Sequence, residues 1–263
     1  MSALKKQLAR FAPWLPARMR QARLWWGDSR RDASMDYELD GIVLPGDERL
    51  ISPVLHRALS QGRYEGEERT HLPGLLQDGD VVLELGAGLG VVSTLCARDE
   101  RVRKVVTVEA NPDLIPYVQE VHRRNGVTDK VSLMHAVALP APDVDEVDFF
   151  VRKDIWASSL NGKIWGWDRK VSTKVVDLHT LVEDLDPTLM IVDIEGGEVQ
   201  LLKDFSPGNL RHVYVEIHKQ VIGPRGVRFV FNQLARAGFA YDPAFSARGV
   251  VTFTRIPEPP GAG

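Results

Sequence analysis

Apolar positions in this chain fall into short runs separated by polar, glycine-bearing or proline-bearing stretches. The run Val81-Val82-Leu83-Glu84-Leu85 leads straight into Gly86-Ala87-Gly88-Leu89-Gly90. A continuous apolar run bounded by turn residues reads as a buried strand. The spacing then predicts a helix over about 89–98, a strand over 104–109 and a helix over about 112–125. That second helix has Pro112 near its start and Asn125-Gly126 at its end. A strand over 130–135 follows, then a less regular stretch over 140–175 holding Trp156, Trp165 and Trp167. Beyond it lie a strand at Leu189–Val192, a helix from about Glu198, a strand over 212–217, a helix over 226–237 and a strand pair near 239–254. Strands alternating with helices predict an α/β fold, a mostly parallel sheet with helices on both faces.

Upstream, residues 36–80 read as a lead-in. Asp40 to Gly46 suggests a short strand pair, Ser52 to Ser60 a helix, and Leu75 to Asp80 a helix end with a glycine turn. Residues 1–35 form a distinct leader, with eight Lys/Arg and a single acid up to Arg31, and with Trp14, Trp25 and Trp26. Such a segment suits an arm that packs on the domain or contacts a second copy in a homodimer. A peripheral contact with an anionic membrane or a partner is the other reading. The main domain is expected over 81–256, and 257–263 is a Pro/Gly-rich tail.

The glycine turn is Gly-x-Gly-x-Gly, with Val91 after Gly90. A dinucleotide fingerprint needs Gly-x-Gly-x-x-Gly, so an NAD-dependent oxidoreductase is disfavoured. Glu84, two residues before the first glycine, repels phosphate and suits an ammonium group. Glu109, at the end of the next strand, is placed to hold a ribose diol. S-adenosylmethionine, with a ribose and a cationic amino-acid end but no phosphate, fits this set. The strand at 189–192 ends in Asp193-Ile194-Glu195-Gly196-Gly197-Glu198. Ligands in open α/β sheets bind beyond the carboxyl ends of strands. Alternation along an extended segment would put Asp193 and Glu195 on one side, and crowded carboxylates raise one another's pKa. Glu198 serves equally well as an acid at a helix start. Glu216-Ile217-His218 ends the following strand, and His218 is a second candidate base. Asp193, Glu195 and Glu216 could ligate a divalent metal, but no spacing proves it and no residue is assigned to one.

Composition narrows the picture little. The chain has 263 residues, 44% of them apolar, and one cysteine, which excludes an internal disulfide. A net charge of −3 gives no sign of a nucleic-acid partner. No apolar run reaches about 18 residues, so no transmembrane helix is expected. The N-terminus lacks a clean signal-peptide core, and a cytoplasmic location is the default.

The ordered stretches Val82–Gly90, Val108–Pro112, Val131–Ala138, Ser158–Leu160, Val176–Leu181, Ile191–Glu198 and Val215–His218 resemble the FkbM family of S-adenosylmethionine-dependent methyltransferases. The resemblance spans about 75–220 and implies a seven-stranded, Rossmann-like class I methyltransferase fold. It implies O-methylation of a hydroxyl on a sugar, glycan or natural-product acceptor, with S-adenosylhomocysteine as product. Carried over by position, Glu84, Gly86, Ala87, Gly88 and Gly90 face the methionine part of the cofactor. Glu109 holds the ribose, Ala110 and Asn111 lie by the adenine, and Ala136 and Val137 line it. Asp193 lies near the methyl donor. A methyltransferase acting on nitrogen and a non-catalytic cofactor-binding module remain as alternatives.

Overall fold

The structure is a computed structural model that describes residues 35–152, 158, 160 and 166–257. The leader, the tail beyond Pro257, Trp156 and Trp165 lie outside the described residues. In chain order the elements are β1 (Tyr37–Leu39), β2 (Ile42–Leu44), α1 (Pro53–Ser60), α2 (Gly66–Leu75), β3 (Asp80–Leu85), α3 (Val91–Arg98) and β4 (Val102–Glu109). Next come α4 (Leu114–Arg124), β5 (Val131–His135), β6 (Val137–Leu139), β7 (Glu146–Val151), β8 (Arg169–Asp177), α5 (Leu178–Leu185) and β9 (Leu189–Val192). The last are α6 (Glu198–Leu201), β10 (His212–Glu216), α7 (Lys219–Arg236), β11 (Phe239–Ala247) and β12 (Val250–Arg255).

Seven strands form one sheet in the order β5-β4-β3-β9-β10-β12-β11. β5, β4, β3, β9 and β10 pair in parallel, and β12 runs antiparallel to β10 and β11. This order, with one reversed strand next to the edge, is the Rossmann-like class I methyltransferase fold. The centre of the sheet is buried on both faces, so its strands read as continuous apolar runs. Leu83, Val106, Met190 and Val213 pack to one side with α5 and α7. Val82, Val105, Leu189 and Tyr214 pack to the other with α2 and α3. Alternate residues of each strand thus supply the two halves of the core.

The lead-in forms the expected strand pair and helix, α1, whose Ser52 caps the Leu55 N–H. Two expectations need correction. The stretch over 140–175 holds two strands, β7 and β8, which join β6 in a second, three-stranded sheet. β8 reads Arg-Lys-Val-Ser-Thr-Lys-Val-Val-Asp, a partly exposed strand with too few apolar residues to signal itself. The final helix begins at Lys219 rather than 226 and breaks at Gly223, where φ is 65° and ψ 177°. Pro224 opens the second piece, where its missing N–H costs nothing. No helix among the described residues is long and apolar enough to cross a membrane.

Candidate active site

β3, β4, β5 and β9 all point their carboxyl ends at one cavity of about 110 Å³ that opens to solvent. β3 ends at Leu85, and the chain turns at Gly86 with φ 92°. A Cβ on Gly86 would lie 1.8 Å from the carbonyl oxygen of Asp193. The two loops are that close because the Asp193 N–H donates to Leu85 O at 2.9 Å, extending the β3–β9 ladder. Only glycine accommodates both the contact and the backbone conformation. Gly86 and Gly88 line the cavity, whereas buried Ala87 and Gly90 support the loop from behind.

Glu109 ends β4 and is 6% exposed. Its Oε2 accepts the Ala87 N–H at 3.0 Å, and its Oε1 accepts the Asn111 N–H at 2.6 Å. A carboxylate has about four lone-pair sites, so room remains for hydroxyl donors from the cavity. Burial pushes its pKa up, and the main-chain donors Asn111 and Ala87 oppose that rise. Ala110, Ala136 and Val137 line the cavity as the sequence suggests, together with Phe149 and Leu160. Asn111 does not line it: its Oδ1 accepts the Asp113 N–H at 3.1 Å, which ties it to the turn before α4.

Glu84 also departs from expectation. It is 1% exposed and lies beneath the glycine loop beside Thr107 and Ser93, not in the cavity wall. Burial raises its pKa to about 8, so it is mostly neutral at pH 7. The cavity wall on that side includes Tyr64, in the lead-in just before α2, whose hydroxyl accepts the Leu89 N–H at 3.3 Å. No local motif marks Tyr64; the contact spans 25 positions of sequence.

At the other side of the mouth, Asp193, Glu195 and Glu198 gather around His218, which is 4% exposed. The segment is not extended, because Glu195 sits at φ 53° in the left-handed region. The bend, rather than strand alternation, brings Asp193 and Glu195 to the same neighbour. His218 Nδ1 lies 2.6 Å from Glu198 Oε1, and Nε2 lies 3.2 Å from Glu195 Oε2 and 3.7 Å from Asp193 Oδ1. Burial alone would lower the His218 pKa. Hydrogen bonds to Glu195 and Glu198 and the charge of Asp193 outweigh it and raise the value to about 11. With both ring nitrogens engaged and the proton retained at neutral pH, His218 is a buried cation rather than a free base.

The Asp193 side chain is 43% exposed, yet its Oδ1 is shut off from solvent and has no hydrogen-bond partner. Burial, then Glu216 and Glu195, push its pKa well up. Asp193, Glu216 and His218 have ligand atoms within 4.8 Å of one another, the set that could hold a divalent cation. The His218 proton competes for that place, and Glu195 is replaced by His218 in the set expected from sequence.

Cavity, glycine loop and strand-end carboxylates are those of the class I methyltransferase fold, whose cofactor is S-adenosylmethionine. A family model described as the TRM5/TYW2 methyltransferase domain matches residues 58–152, under half of the chain. The Arabidopsis thaliana protein named probable protein arginine N-methyltransferase 6 is 33% identical over 76 residues, 29% of this chain. That match spans only 17% of the relative's length. Among solved structures, M. jannaschii TYW2 in complex with AdoMet shares 16% identity, with a TM-score of 0.46 over 86% of this chain and 88% of that one. Trm5b from Pyrococcus abyssi shares 16%, with a TM-score of 0.43 over 83% and 53%.

These matches overturn two expectations. The family match is to TRM5/TYW2, with none to FkbM. The glycine loop and strand-end acids quoted for FkbM sit where any class I fold binds its cofactor, so they discriminate families poorly. The exclusion of nucleic acid also falls, since TRM5/TYW2 homologues act on tRNA. A net charge of −3 averages over the whole surface and says nothing of a local contact.

Proposed function

We propose that this methyltransferase acts on an O–H or N–H group of an RNA nucleotide, with the Asp193 carboxylate as proton acceptor. The acceptor's lone pair forms the new bond to the methyl carbon as the carbon–sulfur bond breaks toward sulfur. S-adenosylhomocysteine leaves, and the acceptor proton passes to Asp193. The position of Asp193 carries this reading: it lies on the cavity wall, at the end of β9, with its Oδ1 free of hydrogen bonds and 3.7 Å from His218 Nε2. Its raised pKa makes the ionised Asp193 a stronger proton acceptor than an ordinary aspartate. Glu195 and Glu198 fix the His218 cation beside it, which keeps the Asp193 charge tolerable. RNA is supported by the TRM5/TYW2 match. Bases splayed out of single-stranded RNA enter pockets edge first, and carboxylates at the mouth accept hydrogen bonds from base N–H groups.

A second reading is O-methylation of a neutral sugar or other hydroxylated acceptor. The density of acids at the mouth favours it, because Asp193, Glu195 and Glu216 repel phosphates. Labelled methyl transfer from S-adenosylmethionine, offered tRNA and a panel of sugars side by side, separates the two. Label in tRNA that is lost in Asp193→Asn supports the first reading. Label in sugars alone overturns it in favour of the second.

A further inference from the structure

Removing Glu84 from the cavity leaves the cofactor's ammonium group without the carboxylate that the sequence assigned to it. Glu109, Ala136, Phe149, Gly88, Tyr64 and Asp193 all line the cavity. With the ribose on Glu109, the cofactor reading sends the amino-acid part past Gly88 toward Tyr64 and Asp193. Glu65 is not itself in the cavity wall; it lies against Gly88 and beside Tyr64, which both are. A Cβ on Gly88 would lie 3.2 Å from Glu65 Oε1 and 2.8 Å from the Tyr64 hydroxyl. Gly88 is therefore bare because the lead-in segment lies directly on it.

Three properties set Glu65 apart from an ordinary helix-start acid. It precedes α2 at the N-cap position, yet its side chain makes no capping hydrogen bond. Its backbone is left-handed, at φ 47° and ψ 39°, a conformation that is costly for a non-glycine residue. Its Oε2 is shut off from solvent with no hydrogen-bond partner, while the Tyr64 hydroxyl hydrogen-bonds its side chain. An unpaired buried carboxylate oxygen is expensive unless a cation or donor meets it. Its acidic neighbours, Glu68, Glu84 and Asp193, cannot supply one, and burial together with them pushes the Glu65 pKa well up until a cation arrives.

We propose that Glu65, with Tyr64 holding it over Gly88, is the binding site for the α-ammonium group of S-adenosylmethionine. This rests on the cofactor reading given above. The lead-in segment thereby completes the cofactor site instead of merely covering the domain. Asp193, on the neighbouring loop, is then free to face the acceptor.

Calorimetric titration tests this with three probes: S-adenosylhomocysteine, its deaminated analogue that keeps the carboxylate, and methylthioadenosine, which lacks the amino-acid part. Glu65→Gln is expected to weaken S-adenosylhomocysteine about tenfold or more, the scale of a lost charge-assisted hydrogen bond. Affinity for the other two probes should stay unchanged, and that also shows the variant is folded. Equal weakening of all three probes, or no weakening of any, overturns the assignment of Glu65 while leaving the cofactor reading intact. If the unaltered protein binds none of the probes, the cofactor reading fails and this inference fails with it.

Discussion

Glu109 and His218 both lie at the carboxyl edge of the same sheet, and both are buried, but they are held in different ways. Main-chain N–H groups of Ala87 and Asn111 hold the Glu109 carboxylate. Side-chain carboxylates of Glu198 and Glu195 hold the His218 ring. The first arrangement is fixed by the path of two loops. The second depends on protonation and on two separate segments of chain meeting, 193–198 and 216–218. The cofactor side of the cavity is thus a rigid feature of the fold, and the acceptor side is an electrostatic assembly mounted on it.

Substitutions can break either side. The largest effect is expected for Gly86→Ala. A methyl group 1.8 Å from Asp193 O must push the β3 and β9 loops apart and adopt a positive φ. We expect a loss of about 3 kcal/mol or more in stability, read by denaturant unfolding. A stability close to that of the unaltered protein would mean the loops are not in contact.

The acceptor side should reveal itself through pH. The pKa of His218 rises from 6.5 to about 11 on folding, so the protein takes up a proton there. Its stabilising contribution is full below pH 6.5 and is lost as pH climbs toward 11. Thermal unfolding across that window should therefore show a falling midpoint. Glu198→Gln, which removes the buried partner of Nδ1, should make the fall shallower. Parallel curves for the two proteins would contradict the buried-cation account.

Chelation provides a sharper version of the same comparison. The imidazolium of His218 already lies among Asp193, Glu195 and Glu216. EDTA is expected to leave methyl transfer unchanged. A loss restored by added divalent metal would mean that a cation displaces the proton. The smallest effect is expected for Glu84→Gln. Glu84, with a pKa of about 8, is mostly protonated at pH 7 and does not line the cavity. Stability should change by about 1 kcal/mol or less, with unchanged affinity for S-adenosylhomocysteine in a titration.

The contrast between the two sides also explains what the sequence discloses. Strand, glycine turn, helix, strand and terminal acid occupy the short span from Val81 to Glu109, where pattern and spacing alone suffice. The contact of Glu198 with His218 joins residues 20 positions apart on different elements, and Glu198 reads locally as a helix-start acid. Tyr64 and Glu65 approach Gly88 across the intervening α2 and β3. Glu84 misleads for the opposite reason. Its spacing from Gly86 suits a ligand, but strand alternation turns its side chain toward Thr107 and Ser93. Within a fold shared by many acceptors, strand-end acids mark where the chemistry occurs and not what is methylated.

The most direct test is calorimetric titration of S-adenosylhomocysteine into the unaltered protein and into Glu109→Ala. One equivalent bound by the first and a loss of about a hundredfold in the second, two charge-assisted contacts' worth, is the predicted result. Absence of binding to the unaltered protein, or equal affinity in both, would contradict the placement of the cofactor at the glycine loop and Glu109.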